Sequence, residues 1–478
     1  MKKMWINKIK SNKYLILALL VGAILRLGFI IFGAEIYFNR PNIFIDGDTW
    51  AWQNCIENLI NNGTYTVGGD KGQFSRMPGY AFFMGVFFLL TGQNWDVAVV
   101  IIAWFQTFVD VLNIYLIFLL SELIFKNKRI STIAAFIYGI YPFIIVWNPV
   151  CYAETWSIFL MILSLVFFFQ SEEENSQKKL IISGITIALC SLTRPQLIPL
   201  FPILILILFI TNKNQFRILI RKSVMFGFSF SILFGIWPVR NFLNHDRLII
   251  TKNAEGFANW QDDVIAFMQY TYAVKAEWDP QYTSIVKNEK TTYPKIAYPS
   301  RADSLKLEKA IYLSKNCGGG FSRKKGYWKE IVNEGNCNAE IKKLFNELRE
   351  KQIRVNPLNY YLIVPFKNFK KAIFKSQLYD NKSTYRKIGS LLFYWRTILI
   401  LIGLIGAFTL VKKNQISYIT LLYFGSVYIT LCFGTSPFMR NIEIRYFLPA
   451  DVLLIFPASY FIVELFNRKK IINWKLNF

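Results

Sequence analysis

Two aspartates near the start of the chain lie two residues apart, in Asp46-Gly47-Asp48, and Arg76 follows in the same polar stretch. A carboxylate pair can supply a general base that takes a proton from an attacking hydroxyl group. It can also hold a divalent cation through oxygen ligands. An arginine suits a phosphate group, because guanidinium stays charged and binds phosphate with two parallel hydrogen bonds. Taken by itself, such a stretch is more typical of a solvated turn.

The elements that must position these residues are long apolar runs. The chain has 478 residues, of which 54% are hydrophobic and only 18% are charged, whereas an average protein has ~25% charged residues. Residues 14–32 and 97–120 carry almost no charge and approach or exceed the ~20 residues that a bilayer span needs. We therefore predict an all-α polytopic membrane protein. A disordered chain, a secreted disulfide scaffold and a soluble enzyme are excluded.

The net charge of +25 would fit a nucleic-acid partner, but much of the basic charge lies beside the apolar runs. There it follows the positive-inside rule and can attract anionic lipid. Lysines before the first apolar run place the N-terminus in the cytoplasm. A cleaved signal peptide fits less well, because Arg26 interrupts the run. Alternation then puts every short basic cluster on the cytoplasmic side: 126–129, 177–179, 213–222, 412–413 and 468–470.

This pattern predicts about ten transmembrane helices with both termini in the cytoplasm. The expected spans are 14–33, 96–123, 131–148, 152–170, 179–193, 196–211, 222–241, 389–411, 416–433 and 446–466. Two long polar segments, 34–95 and 242–388, then lie outside. The chain accordingly divides into an N-terminal transmembrane module (1–241), an extracytoplasmic subdomain (242–388) and C-terminal helices (389–478).

The outer subdomain is expected to be small and mainly helical. Ile341, Leu344, Phe345 and Leu348 recur at helical spacing and predict an amphipathic surface helix that ends before Asn356-Pro357. Cys317 and Cys337 flank a loop in the same region. They form a disulfide if this region is extracytoplasmic, and two unpaired thiols are the alternative.

The outer segment 34–95, which carries the two aspartates, is called the acidic loop below. Further motifs follow the two aspartates in a fixed order along almost the whole chain. They are Arg76-Met77-Pro78-Gly79-Tyr80, Tyr152-Ala153-Glu154-Thr155, Leu192-Thr193-Arg194-Pro195, Trp237-Pro238-Val239-Arg240-Asn241, Thr251-Lys252-Asn253 and Arg445-Tyr446-Phe447-Leu448-Pro449. With this series the chain resembles the polyprenyl-phosphate-dependent glycosyltransferases of the GT-C class. The resemblance is strongest to glycosyltransferase family 39 and its bacterial relatives. These include protein O-mannosyltransferases and the aminoarabinose transferases that modify lipid A.

The resemblance implies a GT-C fold with its active site on the outer face of the plasma (inner) membrane. It also implies a glycosyltransferase that moves a single sugar, with inversion, from a polyprenyl-phosphate donor to a lipid, glycan or protein acceptor. A lipid-linked polysaccharide polymerase or ligase and a transporter or flippase are the alternatives. An oligosaccharyltransferase is disfavoured, because no Trp-Trp-Asp-Tyr-Gly motif is present in the outer region.

The resemblance also assigns roles to single residues. Asp48 is the candidate catalytic base and Asp46 the second choice. Glu154 is a candidate for binding the acceptor or a metal ion, with pairing to an arginine as its structural alternative. No cofactor is evident, and a divalent cation stays open. Four arginines and one tyrosine at the outer ends of apolar segments are assigned to the donor phosphate, with lipid anchoring as the alternative: Arg76, Arg194, Arg240, Arg445 and Tyr446.

Four further charges fall within or near the apolar spans: Arg26, Asp110, Arg396 and Asp451. Each costs ~2.5–3.5 kcal/mol on insertion scales unless it is paired. Gln106, Asp110 and Asn113 share one helical face through their spacing. We expect structural pairing inside the bundle here rather than a proton relay, and we expect His245 to be a loop residue.

Overall fold

The computed structural model describes residues 12–39, 42–68, 74, 76–251, 261–275, 278–321, 337–374, 384–412, 422, 425–426 and 444–475. Every regular element in these residues is helical. The helices in chain order are α1 (Lys13–Phe38), α2 (Gly47–Asn62), α3 (Pro78–Leu90), α4 (Trp95–Phe125), α5 (Lys128–Gly139), α6 (Pro142–Ile145), α7 (Ala153–Glu174), α8 (Gln177–Thr193), α9 (Leu200–Thr211), α10 (Phe216–His245), α11 (Asp262–Val274), α12 (Asp279–Val286), α13 (Arg301–Asn316), α14 (Asn338–Val355), α15 (Val364–Phe374), α16 (Thr384–Lys412) and α17 (Leu448–Lys475).

Six segments of the described chain are helical, long and apolar enough to cross a bilayer, which confirms a multi-pass membrane protein. They are Lys13–Phe38, Trp95–Phe125, Ala153–Glu174, Phe216–His245, Phe393–Lys412 and Arg445–Asn467. At 1.5 Å per residue, a helix of about 20 residues covers the ~30 Å hydrocarbon core. The first of them contains a π-helical turn, Phe29–Gly33.

The remaining predicted spans take other forms. The expected span 131–148 is two pieces, α5 and the short α6, because Pro142 starts a new helix after Tyr141. The expected span 179–193 corresponds to α8, which has 17 residues. The expected span 196–211 corresponds to the apolar stretch Pro195–Thr211, which starts with a 3₁₀ turn and continues as α9. Most of 416–433 lies outside the described residues. The number of about ten spans therefore stays a prediction.

The membrane helices share one hydrophobic core, in which α7, α8 and α10 pack together and α17 packs on α16 and α5. Gly184 shows how closely α8 and α10 approach. A Cβ atom there would lie 1.9 Å from Ser229 Oγ and 2.9 Å from the carbonyl oxygen of Phe226. Only glycine fits at this crossing.

Two buried ion pairs lie inside this core, as the expectation of structural pairing requires. Arg26 Nε lies 2.6 Å from Asp110, which also accepts hydrogen bonds from Tyr138 and Asn148. The second pair repeats this arrangement. Arg396 contacts Asp451 at 2.7 Å, and Tyr141 Oη donates to Asp451 at 2.8 Å.

A second, separate hydrophobic core belongs to the region predicted as the outer subdomain. The predicted amphipathic helix is α14, which ends at Val355 and buries Ile341, Leu344, Phe345 and Leu348, largely against α11. A disulfide joins Cys317 to Cys337 with an S–S distance of 1.99 Å. The pairing left open by the sequence is thus present. The domain boundaries at 241/242 and 388/389 stay predictions.

Candidate active site

The two aspartates of the acidic loop have different positions at the start of α2. Asp46 is the N-cap residue: its carboxylate accepts from the Gly47 amide at 2.7 Å, and its own amide donates to Thr49 Oγ1 at 3.1 Å. This capping box is a local use of the side chain. Thr49 Oγ1 also donates to the Cys151 carbonyl oxygen at 3.1 Å, which fixes α2 to the segment before α7.

Asp48 lies in the first turn of α2, where the helix dipole favours a negative charge. Each of its carboxylate oxygens has an arginine partner. Arg76 Nη2 lies 2.6 Å from Oδ1, and Arg445 Nη2 lies 2.6 Å from Oδ2. About a fifth of the Asp48 side chain is solvent-accessible. The carboxylate therefore stands between two guanidinium groups that come from opposite ends of the chain.

A second carboxylate continues this network. Glu154, in the first turn of α7, is 1% exposed. Its Oε1 atom lies 2.7 Å from Arg194 Nη2 and 3.7 Å from Arg445 Nη1. Its other oxygen, Oε2, is buried and has no hydrogen-bond partner among the described residues. Glu154 thus pairs with arginine, which was the structural alternative for this residue, and it does so through one of its two oxygens.

Aromatic rings hold the arginines in place. The Arg445 guanidinium lies 4.7 Å from the ring centre of Tyr152, and both Arg194 and Arg445 lie 5.5 Å from the Tyr446 ring. Arg76 lies 5.4 Å from the Trp52 ring. Cation–π contacts of this kind orient a guanidinium without neutralising its charge. Three arginines thus share one cluster with Asp48 and Glu154.

Arg240 lies outside the ion-pair cluster. Its Nη2 donates to the Tyr65 carbonyl oxygen at 2.8 Å and its Nη1 to Asn241 at 2.9 Å. Its guanidinium lies 5.9 Å from the ring centre of Tyr65 and 5.3 Å from that of Trp237. The indole of Trp237 donates to the Thr251 carbonyl oxygen at 2.5 Å. These contacts join the end of α10 to the acidic loop. Lys252 and Asn253, the rest of that motif, lie outside the described residues.

The start of α3, which follows Arg76, contacts the end of α8, which precedes Arg194. Pro78 occupies the first turn of α3, where its missing amide proton costs nothing. Gly79 follows, and a Cβ atom there would lie 2.5 Å from the Thr193 amide nitrogen. The Pro-Gly sequence thus allows the start of α3 to lie directly against the end of α8.

Hydrogen bonds link the cluster to the buried ion pair of Arg26 and Asp110. Asn148 donates to Asp110 at 2.9 Å and accepts from Thr155, the neighbour of Glu154, at 2.9 Å. Tyr80, next to Gly79, donates to Gln106 at 2.6 Å, and Gln106 donates to the carbonyl oxygens of residues 148 and 150. The mid-membrane pair therefore supports the start of both α3 and α7.

Two protonatable groups beside the cluster are unsuited to act as bases or nucleophiles. Burial raises the pKa of Tyr152, as do the nearby carboxylates, while Arg445 opposes the shift. Burial also raises the pKa of the Cys55 thiol to about 12. Both side chains are neutral at physiological pH.

Trp52 and Tyr152 are members of the site that sequence reasoning left out. Trp52 lies one helical turn after Asp48, so the spacing already places both on one face of α2. Tyr152 is part of a motif that pointed only to Glu154. Its contact with Arg445 depends on how the C-terminal helix packs beside the start of α7.

The donor set offers limited support for a metal ion. Asp46 and Asp48 supply carboxylate oxygens of the kind that hard cations take. Among the described residues, no group of three or more His, Cys, Asp or Glu side chains could hold a metal ion together. A cation at Asp48 would have to displace an arginine from it.

The helical fold has a solved counterpart, as the resemblance of the motifs implied. An oligosaccharyltransferase of Archaeoglobus fulgidus, solved tethered with an acceptor peptide, matches 97% of this chain and 50% of its own length, with a TM-score of 0.52 and 14% identity. The chain thus spans about half the length of that enzyme.

Residues 75–240 match the family model described as dolichyl-phosphate-mannose-protein mannosyltransferase. The structure of ArnT from Cupriavidus metallidurans bound to undecaprenyl phosphate matches with a TM-score of 0.38 and 10% identity. The match includes 91% of this chain and 77% of the ArnT chain. No curated protein sequence matches the chain.

Proposed function

We propose that this protein is an inverting glycosyltransferase that moves one sugar from a polyprenyl-phosphate donor to an acceptor hydroxyl or amine. One observation carries the proposal: the Asp48 carboxylate lies between Arg76 and Arg445, at 2.6 Å from each. This arrangement combines a proton acceptor with the cations that a phosphate leaving group requires. The family match over residues 75–240 supports the same chemistry.

The reaction forms one bond and breaks one. The acceptor oxygen or nitrogen attacks the anomeric carbon of the donor sugar, and the bond from that carbon to the phosphate oxygen breaks on the opposite face. Asp48 takes the proton of the acceptor, and the electron pair leaves with the polyprenyl phosphate. A positioned base of this kind contributes roughly 10²–10⁴-fold to the rate.

The arginines have two partners to serve in this scheme. Each oxygen of the Asp48 carboxylate is held by a guanidinium group, so at least one arginine has to turn away before an acceptor hydroxyl group can donate to Asp48. The donor phosphate supplies the competing anion, because guanidinium binds phosphate bidentately. Donor binding and activation of the base are thus one event.

The remaining residues take secondary roles. Arg194 and Tyr446 complete the phosphate site together with Arg445, and the spare oxygen of Glu154 receives a hydroxyl group of the acceptor or the donor sugar. Arg240 holds the acidic loop against α10 and meets the donor from that side. A divalent cation at the acidic pair is a refinement of this scheme, and loss of transfer in a chelator would support it.

The site faces the outer side of the plasma membrane in this proposal. The support is the distribution of lysine and arginine, since alternation of the expected spans puts every short basic cluster on the side opposite segment 34–95, which carries Asp48. The acceptor, whether lipid, glycan or protein, binds on that side to the subdomain that contains the second hydrophobic core, residues 264–360. The lipid-linked donor reaches the arginines from the bilayer.

The test is transfer of radiolabelled sugar from purified polyprenyl-phosphate donors to membrane extract. Wild type should form labelled product, and Asp48→Asn should lower the rate at least 100-fold at unchanged folding. Asp96→Asn is the matched control, because Asp96 also lies in the first turn of a helix but is exposed and away from the cluster. Substrate movement across vesicles without covalent transfer would favour a flippase, and products longer than one sugar would favour a polymerase.

The buried charges argue for an enzyme rather than a transporter. A transporter pathway needs polar groups near the middle of the membrane that bind and release a substrate. Here Asp110 and Asp451 are buried and each is satisfied by an arginine and a tyrosine. Asp48, in contrast, is about a fifth accessible and lies at the start of α2, in the cluster described above.

A further inference from the structure

A cavity of about 640 Å³ lies where the start of α1, the start of α5 and the end of α17 meet. Its walls divide by chemistry. Lys128 and Arg129 line it as exposed cations, and Ile133, Phe136, Val463 and Phe466 supply apolar surface. None of the described residues that line it is acidic.

This cavity and the Asp48 cluster lie at opposite ends of the bundle. Helix α17 begins at Leu448, shortly after Arg445, and reaches Val463 roughly 22 Å further along its axis at 1.5 Å per residue. Helix α5 begins at Lys128 and runs towards Tyr138 and Tyr141, which contact the mid-membrane aspartates. The cavity is therefore separate from the donor site proposed above.

The order of its lining residues matches an amphipathic ligand. The cations are the first residues of α5, and the apolar side chains lie one turn further into the membrane on α5 and on the facing side of α17. Lys13, at the start of α1, is an exposed cation beside the cavity, with its Nζ 5.3 Å from the ring of the lining residue Tyr14. A hydrogen bond of 3.1 Å from Asn12 to Thr132 holds α1 against α5 at the mouth.

We propose that this cavity binds an anionic glycerophospholipid of the leaflet opposite the Asp48 site. Its phosphate contacts Lys128, Arg129 and Lys13, and an acyl chain lies along Ile133, Phe136 and Val463. Basic pockets between transmembrane helices on the cytoplasmic side bind anionic headgroups in this way. The lipid joins α1, α5 and α17, the helices that carry Arg26, Tyr138 and Asp451.

Native mass spectrometry of the delipidated protein in detergent tests this proposal. Phosphatidylglycerol is titrated against phosphatidylcholine with the same acyl chains. Each basic residue near a membrane surface contributes about fivefold to binding, so K128Q/R129Q should lower phosphatidylglycerol affinity roughly 30-fold. The control variant K213Q/R217Q changes two exposed basic residues that do not line the cavity. It should change phosphatidylglycerol affinity less than twofold.

A second variant tests the apolar part. Ile133→Trp fills the cavity and should reduce binding of both lipids while the basic residues are intact. Equal affinity of wild type for the two lipids would overturn the proposal, as would unchanged phosphatidylglycerol binding in K128Q/R129Q and Ile133→Trp. Glycerol 3-phosphate is the headgroup-only arm: competition at the same concentration as the lipid would assign the cavity to a free phosphate and overturn the lipid.

Discussion

At the scale of the residue, the two aspartates of Asp46-Gly47-Asp48 have the same chemistry and opposite tasks. Asp46 satisfies backbone amides at the start of α2, whereas both oxygens of Asp48 contact arginines. The carboxylate of an N-cap aspartate accepts hydrogen bonds from the backbone of its own helix. Asp48 is not the N-cap residue, and its carboxylate contacts arginines from other elements. The geometry therefore favours Asp48 as the base.

Substitutions at the two aspartates should separate these tasks. Asp48→Asn should abolish measurable transfer, because the amide keeps the shape but accepts no proton. Asp46→Asn should retain transfer within a few-fold, since asparagine caps a helix as well as aspartate does. Asp46→Ala should lower the free energy of unfolding by about 1 kcal/mol. Transfer rates and thermal unfolding in detergent measure both effects, and loss of transfer in Asp46→Asn alone would reverse the assignment.

The arginines should differ in their effect on the donor. Arg445→Ala and Arg76→Ala should each weaken donor use roughly 10–100-fold, because a charge-assisted hydrogen bond contributes ~1.5–3 kcal/mol. Arg445→Lys should recover only part of this, since lysine lacks the planar fork. The measured quantity is kcat/KM for the donor.

Arg240 provides the comparison for that series. Its guanidinium binds the Tyr65 carbonyl oxygen rather than Asp48, so Arg240→Ala should affect donor use less than Arg445→Ala and reduce thermal stability more. An equal loss of kcat/KM in both variants, with unchanged stability, would place Arg240 at the phosphate after all.

At the scale of the element, the site depends on how closely α3 approaches α8. Gly79→Ala should impair transfer severely, because a Cβ atom would lie 2.5 Å from the Thr193 amide nitrogen and would push α3, with Arg76, away from the cluster. Gly235→Ala is the control: it lies in α10 with open space around its Cβ position. There alanine should be neutral or stabilising. Equal activity of the two variants would contradict this account.

The buried pair of Arg26 and Asp110 offers a second test at this scale. Asp110→Leu should destabilise the protein by about 3–5 kcal/mol, because it leaves a buried guanidinium without its counter-ion. The double variant Arg26→Met/Asp110→Leu should recover part of that loss, since neither charge is then buried. Thermal unfolding in detergent gives the comparison. A double variant less stable than Asp110→Leu would contradict the explanation that the unpaired guanidinium of Arg26 causes the loss of stability.

At the scale of the whole molecule, orientation in the membrane decides which substrates reach the site. Tyr312→Cys, at an exposed position of α13, should react with an impermeant maleimide in intact cells. Asn214→Cys, between α9 and α10, should react only after lysis. Cys55, Cys151 and Cys190 are buried, and Cys432 is replaced by serine in both variants. The opposite labelling pattern would place the Asp48 cluster in the cytoplasm.

Much of this molecule follows from local sequence. Apolar length predicts helices that span a bilayer, and α1, α4, α7, α10 and α17 confirm it. The apolar repeat of α14 gives its buried face, and Pro-Gly marks the start of α3. These features depend on neighbours within one or two helical turns, which the order of residues alone defines.

Other features needed the tertiary structure. The break at Pro142 divided one expected span, 131–148, into two shorter helices, because the surrounding core decides whether a proline ends a helix or bends it. The disulfide of Cys317 and Cys337 was one of two alternatives, since thiol pairing depends on a distance in space.

The sequence by itself determined the types of residue at the site: an acidic pair, arginines at the ends of apolar segments, and buried charges that must pair. Only the tertiary structure decided which of them meet. Asp48 contacts Arg445, which lies almost four hundred residues away in the chain, and Arg240 points to Tyr65 instead. The physical reason is that a side chain's type sets what it can bind, whereas helix packing sets what comes within 3 Å of it.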